Sequence, residues 1–204
     1  LGVVVIDEQH RFGVLQKQSL RAKGIAPHTL VMTATPIPRT MTLSVYGDLA
    51  VSVIDELPAG RLPVETRRVP PGNRKAIEKA IRDAVREGGQ AYWVCPLVGE
   101  SEAVQAVSVT ERFASLAAAF PSLRVGVLHG QLPFAERDRT MRLFASGGLD
   151  ILVATTVIEV GVDVPNASVM IIENAGRFGL SQLHQLRGRI GRGAKGGTCL
   201  LLDA

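Results

Sequence analysis

Residues 74–95 read RKAIEKAIRDAVREGGQAYWVC and hold one helix and one strand in succession. Over residues 74–87 the apolar side chains recur at helical spacing and form a stripe along one side of a helix. Residues 91–95 are apolar without alternation, which is typical of a strand that is buried on both faces. An amphipathic helix followed by such a strand predicts a parallel sheet covered by helices.

The same alternation continues to the end of the chain. Strands are predicted at residues 125–128, 151–154, 169–172 and 198–202, and helices at residues 109–120, 133–145 and 180–186. This order predicts an open parallel α/β sheet with helices on both faces. Ligands of such sheets gather at the carboxyl ends of the strands, so functional residues are expected in the loops there.

The N-terminal stretch forms a separate block with a similar pattern. Strands at residues 3–6, 29–32 and 51–54 and a basic helix at residues 13–23 are predicted. Residues 57–73, LPAGRLPVETRRVPPGN, then hold four prolines and no clean periodicity. We therefore predict a first domain over residues 1–57, an interdomain linker over residues 58–73 and a second domain over residues 74–204.

Composition and charge restrict the class of partner. The 204 residues are 46% hydrophobic and 21% charged, as in globular proteins, and no apolar run approaches the roughly 18 residues of a membrane span, so no membrane partner is expected. The net charge is +4. Residues 1–60 hold five basic and five acidic residues, whereas residues 61–204 hold eighteen and fourteen. This excess indicates a polyanionic partner, with a solvated charged surface as the alternative.

The cysteines and the start of the chain indicate a cellular setting. Cys95 and Cys199 lie far apart in apolar runs, so two free buried thiols in a reducing cytoplasm are expected. The first residues, LGVVVIDEQH, contain no signal peptide and no initiator Met. We therefore expect a cytoplasmic protein of which this chain is one part.

An acidic pair, Asp7-Glu8, follows the first predicted strand directly. A carboxylate at the carboxyl end of a parallel strand can hold Mg²⁺ on a nucleotide, and an adjacent Glu can polarise an attacking water. The alternative is a pair that stabilises a helix N-terminus through the helix dipole.

A second constellation lies in the run Q-x-x-G-R-x-G-R near the C-terminus. If a helix continues through it, Gln185, Arg189 and Arg192 share one face, and two guanidinium forks suit a γ-phosphate. Gly188 and Gly191 are poor helix residues, which indicates that another backbone or a phosphate comes close. The alternative is a generic basic helix.

Four strings in order along the chain resemble helicase motifs. DEQHRFG at residues 7–13, TATPIPR at 33–39, ATTVIEVGVDVP at 154–165 and QLHQLRGRIGR at 182–192 are similar to motifs II, III, V and VI of superfamily-two helicases. The match is closer to the RecG family of branched-DNA helicases, on strings such as IDELPAGR at 54–61 and QAYWVCPLV at 90–98. The transcription-repair coupling factors are the nearest alternative family.

The resemblance implies a RecA-like fold and a role for each matching residue. It implies that Asp7 binds the Mg²⁺ of ATP, that Glu8 activates water, and that Arg189 and Arg192 are arginine fingers. It implies contacts to ATP for Gln185, Gly161 and Asp163. It implies nucleic-acid contacts or coupling between nucleotide and DNA for the remaining set: Gln9, His10, Thr33, Thr35, His129, Thr155 and Thr156. For Thr156 a helix cap, and for His129 a structural role, are the alternatives.

The function implied is that of an ATP-dependent DNA helicase that remodels stalled forks and Holliday junctions, with ATP and Mg²⁺ as cofactors. No G-x-x-x-x-G-K-[ST] phosphate loop occurs in the chain, so we expect it to lack ATPase activity by itself. In the family that loop and a wedge domain lie upstream, which makes part of lobe one and nearly all of lobe two the expected content here. The partners expected are branched duplex DNA and those upstream parts of a monomeric protein. A non-catalytic RecA-like binding module is the alternative from another class.

Overall fold

The computed structural model describes two compact units, Leu1–Asp55 and Glu56–Ala204. The described residues are 1–8, 13, 19–20, 22–25, 27–33, 50–56, 61–70, 72–96, 102–155, 162–193 and 196–203. Most of the helix predicted at 13–23 therefore lies outside the described residues.

The first unit contains a parallel strand pair. Strands β1 (Val3–Ile6) and β2 (His28–Val31) pair in parallel, with Ile6 opposite Val31. Val4 is buried while Val3 is 61% exposed, so one face of β1 is open although the run Val3–Ile6 is apolar throughout. An apolar run shows that both faces of a strand are suited to burial, but it does not show which helices pack on those faces.

The strand expected at residues 51–54 is also absent. Those residues are described and have no regular secondary structure, and Val53 and Ile54 are exposed. β-branched side chains favour extended backbone, but a strand also needs a hydrogen-bonding partner, which the sequence pattern cannot supply.

The second unit is built around a six-stranded sheet in which all the pairings are parallel, with strand order β3-β8-β7-β4-β6-β5. Its described strands are β3 (Val64–Val69), β4 (Gln90–Val94), β5 (Val125–Leu128), β6 (Ile151–Ala154), β7 (Ala167–Ile172) and β8 (Gly197–Leu202). Its described helices are α1 (Arg74–Arg86), α2 (Glu102–Ala119), α3 (Phe134–Ala145) and α4 (Leu180–Arg187). Helix α2 begins seven residues before the predicted start, because valines in its first turns weaken the helical signal.

Strand β4 sits at the centre of this sheet and divides the core into two layers. Tyr92 packs with Phe144 of α3 and Leu186 of α4, whereas Trp93 packs with Ile81 of α1 and Val109 of α2. Helices therefore cover both faces, as expected. The rings of Tyr92 and Phe144 meet edge to face, with their centroids 4.8 Å apart.

The structure contradicts the linker predicted over residues 58–73, because part of it forms strand β3. Residues 64–69 lie within the linker expected at 58–73, yet they pair with the whole of β8, from Val64 opposite Gly197 to Val69 opposite Leu202. The alternation VETRRV is imperfect because β3 is an edge strand, whose exposed side chains carry charge. Pro63 and Pro70 bracket the strand, where a missing N–H costs nothing.

Two smaller expectations concern the cysteines and the membrane. Cys95 and Cys199 are buried free thiols, as expected, and burial raises the pKa of Cys199 to about 11. Within the described parts of the chain, no helix combines the length and apolarity needed to cross a membrane.

Candidate functional site

The acidic pair and the first threonine of TATPIPR lie at the same edge of the first unit. Asp7 is the first residue after β1, and the backbone N–H of Glu8 donates to its Oδ1 at 2.8 Å. The N–H of Met32 donates to the carbonyl of Ile6 at 2.8 Å, which places Thr33 at the carboxyl end of the neighbouring strand. The parallel pairing of β1 and β2 thus brings Asp7, Glu8 and Thr33 to one edge, where ligands of such sheets bind.

Glu8 has an unusual backbone conformation. Its φ is +48°, in the left-handed region that side chains other than glycine, asparagine and aspartate rarely adopt. Such a conformation costs about 1–2 kcal/mol for a residue with a Cβ. Strained residues of this kind cluster at functional sites, so the strain marks Glu8 as a candidate independently of its charge.

Five predicted site residues lie outside the described residues: Gln9, His10, Thr35, Thr156 and Gly161. Their assigned roles stay predictions. The remaining candidates of motifs V and VI, together with His129, belong to the second unit.

Helix α4 does not continue through motif VI, so the condition under which Gln185, Arg189 and Arg192 would share one helical face is not met. The helix ends at Arg187 with Gly188 as its C-cap, and Gly191 has a φ of +67°. A left-handed glycine reverses the chain direction, which a helix cannot accommodate. Gln185 lies on the helix, whereas Arg189 and Arg192 lie on the turn that follows it.

Gly191 does bring another backbone close, as its residue type indicated. A Cβ built on Gly191 would lie 3.1 Å from the backbone nitrogen of Gly197 and 3.2 Å from Cγ2 of Val64. Its own N–H donates to the carbonyl of Ala167 at 3.0 Å. The neighbour is therefore protein backbone and the start of β8, which packs the turn of motif VI against the sheet.

Gly191→Ala is expected to lower the free energy of unfolding of the chain by about 1–3 kcal/mol, since alanine resists this φ and meets the backbone of Gly197. Urea unfolding followed by circular dichroism measures the change. Gly176→Ala is the matched control, because a Cβ on Gly176 would have no atom within 4 Å and the backbone of Gly176 does not have a positive φ. Equal midpoints for the two variants would show that the close packing at Gly191 carries no stability.

The turn of motif VI brings Arg192 to the aspartate of motif V. Nη1 of Arg192 lies 3.0 Å from Oδ1 of Asp163, and its Nε donates to the carbonyl of Gly188 at 3.2 Å. The Arg192 side chain is 34% exposed and that of Asp163 58%, so the pair lies at the surface, where a ligand can reach it. Two contacts from one guanidinium fix its plane.

Both arginines of motif VI act electrostatically on Tyr92 of the central strand. Burial raises the pKa of the Tyr92 hydroxyl to about 12, while the positive charges of Arg189 and then Arg192 oppose that shift. The phenol therefore stays protonated at neutral pH.

His129 and Thr155 are neighbours at the carboxyl ends of β5 and β6, where the N–H of Thr155 donates to the carbonyl of Leu128 at 3.3 Å. Burial lowers the pKa of His129, which favours the neutral form of the imidazole. Its Nδ1 is buried without a hydrogen-bond partner among the described residues. Thr155 is 2% exposed, which favours a structural role in the loop at the end of β6 over direct contact with a ligand.

Arg61 is a contact of motif VI that the sequence did not predict. Nη2 of Arg61 donates to the carbonyl of Gly188 at 3.0 Å, across 127 residues of sequence. The sequence offered one signal for Arg61: it is the last residue of IDELPAGR, a string that resembles the RecG family but contains no recognisable chemical motif.

The fold and these motifs define a helicase lobe. Residues 73–194 match the helicase conserved C-terminal domain, and the chain belongs to this family. Its second unit has the RecA-like parallel sheet of helicase C-terminal lobes, which confirms the expected fold class.

The relatives are RecG proteins. The chain is 56% identical over 202 residues to the ATP-dependent DNA helicase RecG of Acidithiobacillus ferridurans, and 55% identical over 207 residues to that of Escherichia coli O157:H7. Each match covers 99% of this chain but 30% of the relative, so the chain spans under a third of their length. The resemblance expected from the motifs is confirmed.

Solved structures give the same result. A structure of RecG bound to a three-way DNA junction matches with a TM-score of 0.76 and 50% identity, over 100% of this chain and 26% of that one. Dbp5 of S. cerevisiae, bound to RNA and ADP BeF3, matches with a TM-score of 0.64 and 18% identity, over 99% of this chain and 53% of that one. At that identity the likeness to Dbp5 concerns the fold alone.

Proposed function

We propose that this chain is the motor portion, from motif II to motif VI, of an ATP-dependent DNA helicase that remodels branched DNA during repair and recombination. The observation that carries the proposal is the 50% identity over the whole chain to a RecG bound to a three-way junction. The meeting of Asp163 and Arg192 at one exposed turn supports it, because both belong to strings that resemble motor motifs.

The proposal divides the chemistry between the two units. Asp7 would hold Mg²⁺ on ATP, since an exposed carboxylate fits a cation that prefers oxygen ligands. Bound ATP supplies the phosphoryl group that is hydrolysed. Glu8 orients and polarises the attacking water, while Arg189 and Arg192 stabilise charge that develops on the phosphoryl oxygens. Gln185 supports motif VI from the end of α4.

DNA is proposed to contact the carboxyl edges of the sheets. The lowered pKa of His129 favours its neutral form, which would contact DNA as a hydrogen-bonding group. The positive charge needed for phosphate contact comes instead from the basic excess of residues 61–204. We further propose that the protein acts as a cytoplasmic monomer and that further parts of it complete the ATP site.

The test is ATP hydrolysis by the full-length protein that contains this chain. Phosphate release should rise when a three-way junction is added, and rise less with linear duplex of the same length. Equal stimulation by both DNAs would favour a translocase of the coupling-factor type. Absence of turnover with either DNA would favour a non-catalytic binding module and would contradict the proposal.

The 204-residue chain alone is expected to hydrolyse no ATP. It contains no phosphate loop, so nothing in it positions ATP against Asp7. Steady-state phosphate release should stay at the level of a buffer blank, with or without junction DNA. DNA-stimulated turnover on the order of 1 s⁻¹, ordinary for an enzyme, would contradict this expectation.

The chain is expected to bind DNA weakly, without sequence preference and with strong dependence on salt. Its excess of positive charge lies in residues 61–204, and phosphate contacts release counterions. Fluorescence anisotropy of two unrelated labelled duplexes between 50 and 200 mM salt measures this, with a loss of about 10-fold or more expected. Affinity that is constant across the salt series would exclude a site built on phosphate contacts.

A further inference from the structure

The segment that leads into β3 packs against the turn of motif VI. Cγ2 of Val64 would lie 3.2 Å from a Cβ on Gly191, and the side chain of Leu62 lies 3.8 Å from the equivalent position on Gly196. Val64 also pairs in register with Gly197 at the start of β8. Residues 61–64 therefore pack along one side of this turn.

Arg61 adds a hydrogen bond between the segment 61–64 and the turn of motif VI. Its Nη2 donates to the carbonyl oxygen of Gly188 at 3.0 Å, and the same oxygen accepts from Nε of Arg192 at 3.2 Å. A carbonyl has two lone pairs, so it can accept both donors at once. Two guanidinium groups thus converge on one peptide, and the carboxylate of Asp163, 3.0 Å from Arg192, offsets their repulsion.

This geometry matters because the peptide that joins Gly188 to Arg189 is held on both sides. Its N–H, on Arg189, donates to the carbonyl of Leu186 at 2.9 Å, and its carbonyl accepts from Arg61 and Arg192, so Arg61 is one of the groups that fix this peptide. A peptide fixed by Arg61 gives the Nε–H of Arg192 a defined acceptor. Because Nε of Arg192 donates to Gly188 and its Nη1 donates to Asp163, these two contacts together set the direction of the remaining nitrogen, Nη2.

We infer that Arg61 is a positioning residue for Arg192, acting through the carbonyl of Gly188. This inference rests on the proposed function, since it assumes that Arg192 is an arginine finger. Arg61 itself touches neither nucleotide nor DNA in this scheme. Its effect falls on the transition state, because a finger displaced by a fraction of an ångström still permits ATP to bind but stabilises the developing charge poorly.

The test uses the full-length protein with Arg61→Ala, Arg61→Lys and the control Arg67→Ala. Arg67 lies on β3, is exposed and pairs with Glu65 of the same strand at 2.7 Å, away from motif VI. With junction DNA, Arg61→Ala should lower kcat about 10²-fold with KM for ATP within about twofold of wild type. Arg61→Lys should recover part of kcat, since an ammonium can donate one hydrogen bond to the same carbonyl. Arg67→Ala should resemble wild type.

A double variant separates positioning from a loss of folding. In an Arg192→Ala background, Arg61→Ala should cause no further fall in kcat, because the group that it positions is gone. Equal falls in both backgrounds, a rise in KM with unchanged kcat, or wild-type kcat for Arg61→Ala would each overturn the inference. Thermal melting of every variant identifies any that is unfolded, and Arg61→Lys then carries the comparison. If wild-type protein shows no ATPase, the proposed function fails; if it is active and Arg61→Ala matches Arg67→Ala, this inference alone fails.

Discussion

Arg192→Ala in the full-length protein is expected to lower ATP turnover about 10³–10⁵-fold, the range known for arginine fingers. Binding of ATP and of junction DNA should stay close to wild type. Charge on the phosphoryl oxygens grows as the bond to the leaving group breaks, so the guanidinium contributes more in the transition state than in the ground state. The contacts of Arg192 with Asp163 and with the carbonyl of Gly188 hold the plane of this fork.

Arg192→Lys should recover little of this activity. A lysine can approach Asp163, but it cannot contact Asp163, Gly188 and a phosphate oxygen with one planar group. Single-turnover hydrolysis and nucleotide titrations on the same preparations separate the chemical step from binding, and Arg67→Ala again serves as control. Near-normal turnover in Arg192→Ala would remove the finger assignment, as would a loss of activity that tracks unfolding in circular dichroism.

The structure adds a protein partner for Asp163. The motif resemblance implied a contact between Asp163 and ATP, which stays a prediction, and the structure pairs its carboxylate with Arg192. An ion pair this exposed contributes little to folding, on the order of 0–1 kcal/mol, so stability is a weak reason for its presence. Orientation of the Arg192 fork for its proposed role is a stronger one, and it agrees with the role inferred for Arg61.

The fold of the second unit could be predicted almost completely from the sequence. Its strands carry near-continuous apolar runs because each inner strand is buried on both faces, and this signal needs no knowledge of partners. Strand β6 was predicted with its observed bounds, Ile151–Ala154, for this reason. The edge strand β3 was missed because its exposed face carries charge, so its pattern resembles that of a linker.

The site was predicted less well, since it depends on contacts that are far apart in sequence. The helix predicted at 180–186 agrees with the observed Leu180–Arg187 to within one residue, but the turn that follows it packs Gly191 against Gly197 and Val64, which are distant in sequence or belong to other strands. The hydrogen bond from Arg61 to Gly188 spans 127 residues and leaves no periodic signal. Composition and spacing describe neighbours along the chain, whereas these contacts are set by the order of strands in the sheet.

Glu8→Gln is expected to lower ATP turnover of the full-length protein about 10²–10⁴-fold, as for loss of a general base. Glutamine keeps the size and hydrogen-bonding reach of the side chain but cannot accept a proton from water. ATP should still bind, because Asp7 is unchanged. Glu56→Gln, at an exposed position of the chain, is the matched control and should leave turnover at the wild-type level.

A second substitution at the same position uses the backbone strain of Glu8. With φ at +48°, glycine removes the clash of Cβ with the following carbonyl, so Glu8→Gly should leave the free energy of unfolding unchanged or raise it by up to about 1 kcal/mol. The same substitution should abolish turnover as fully as Glu8→Gln, since the carboxylate is gone. Urea unfolding and phosphate release on one preparation measure both effects. A less stable, equally active Glu8→Gly protein would mean that the left-handed backbone serves packing and that the water is activated elsewhere.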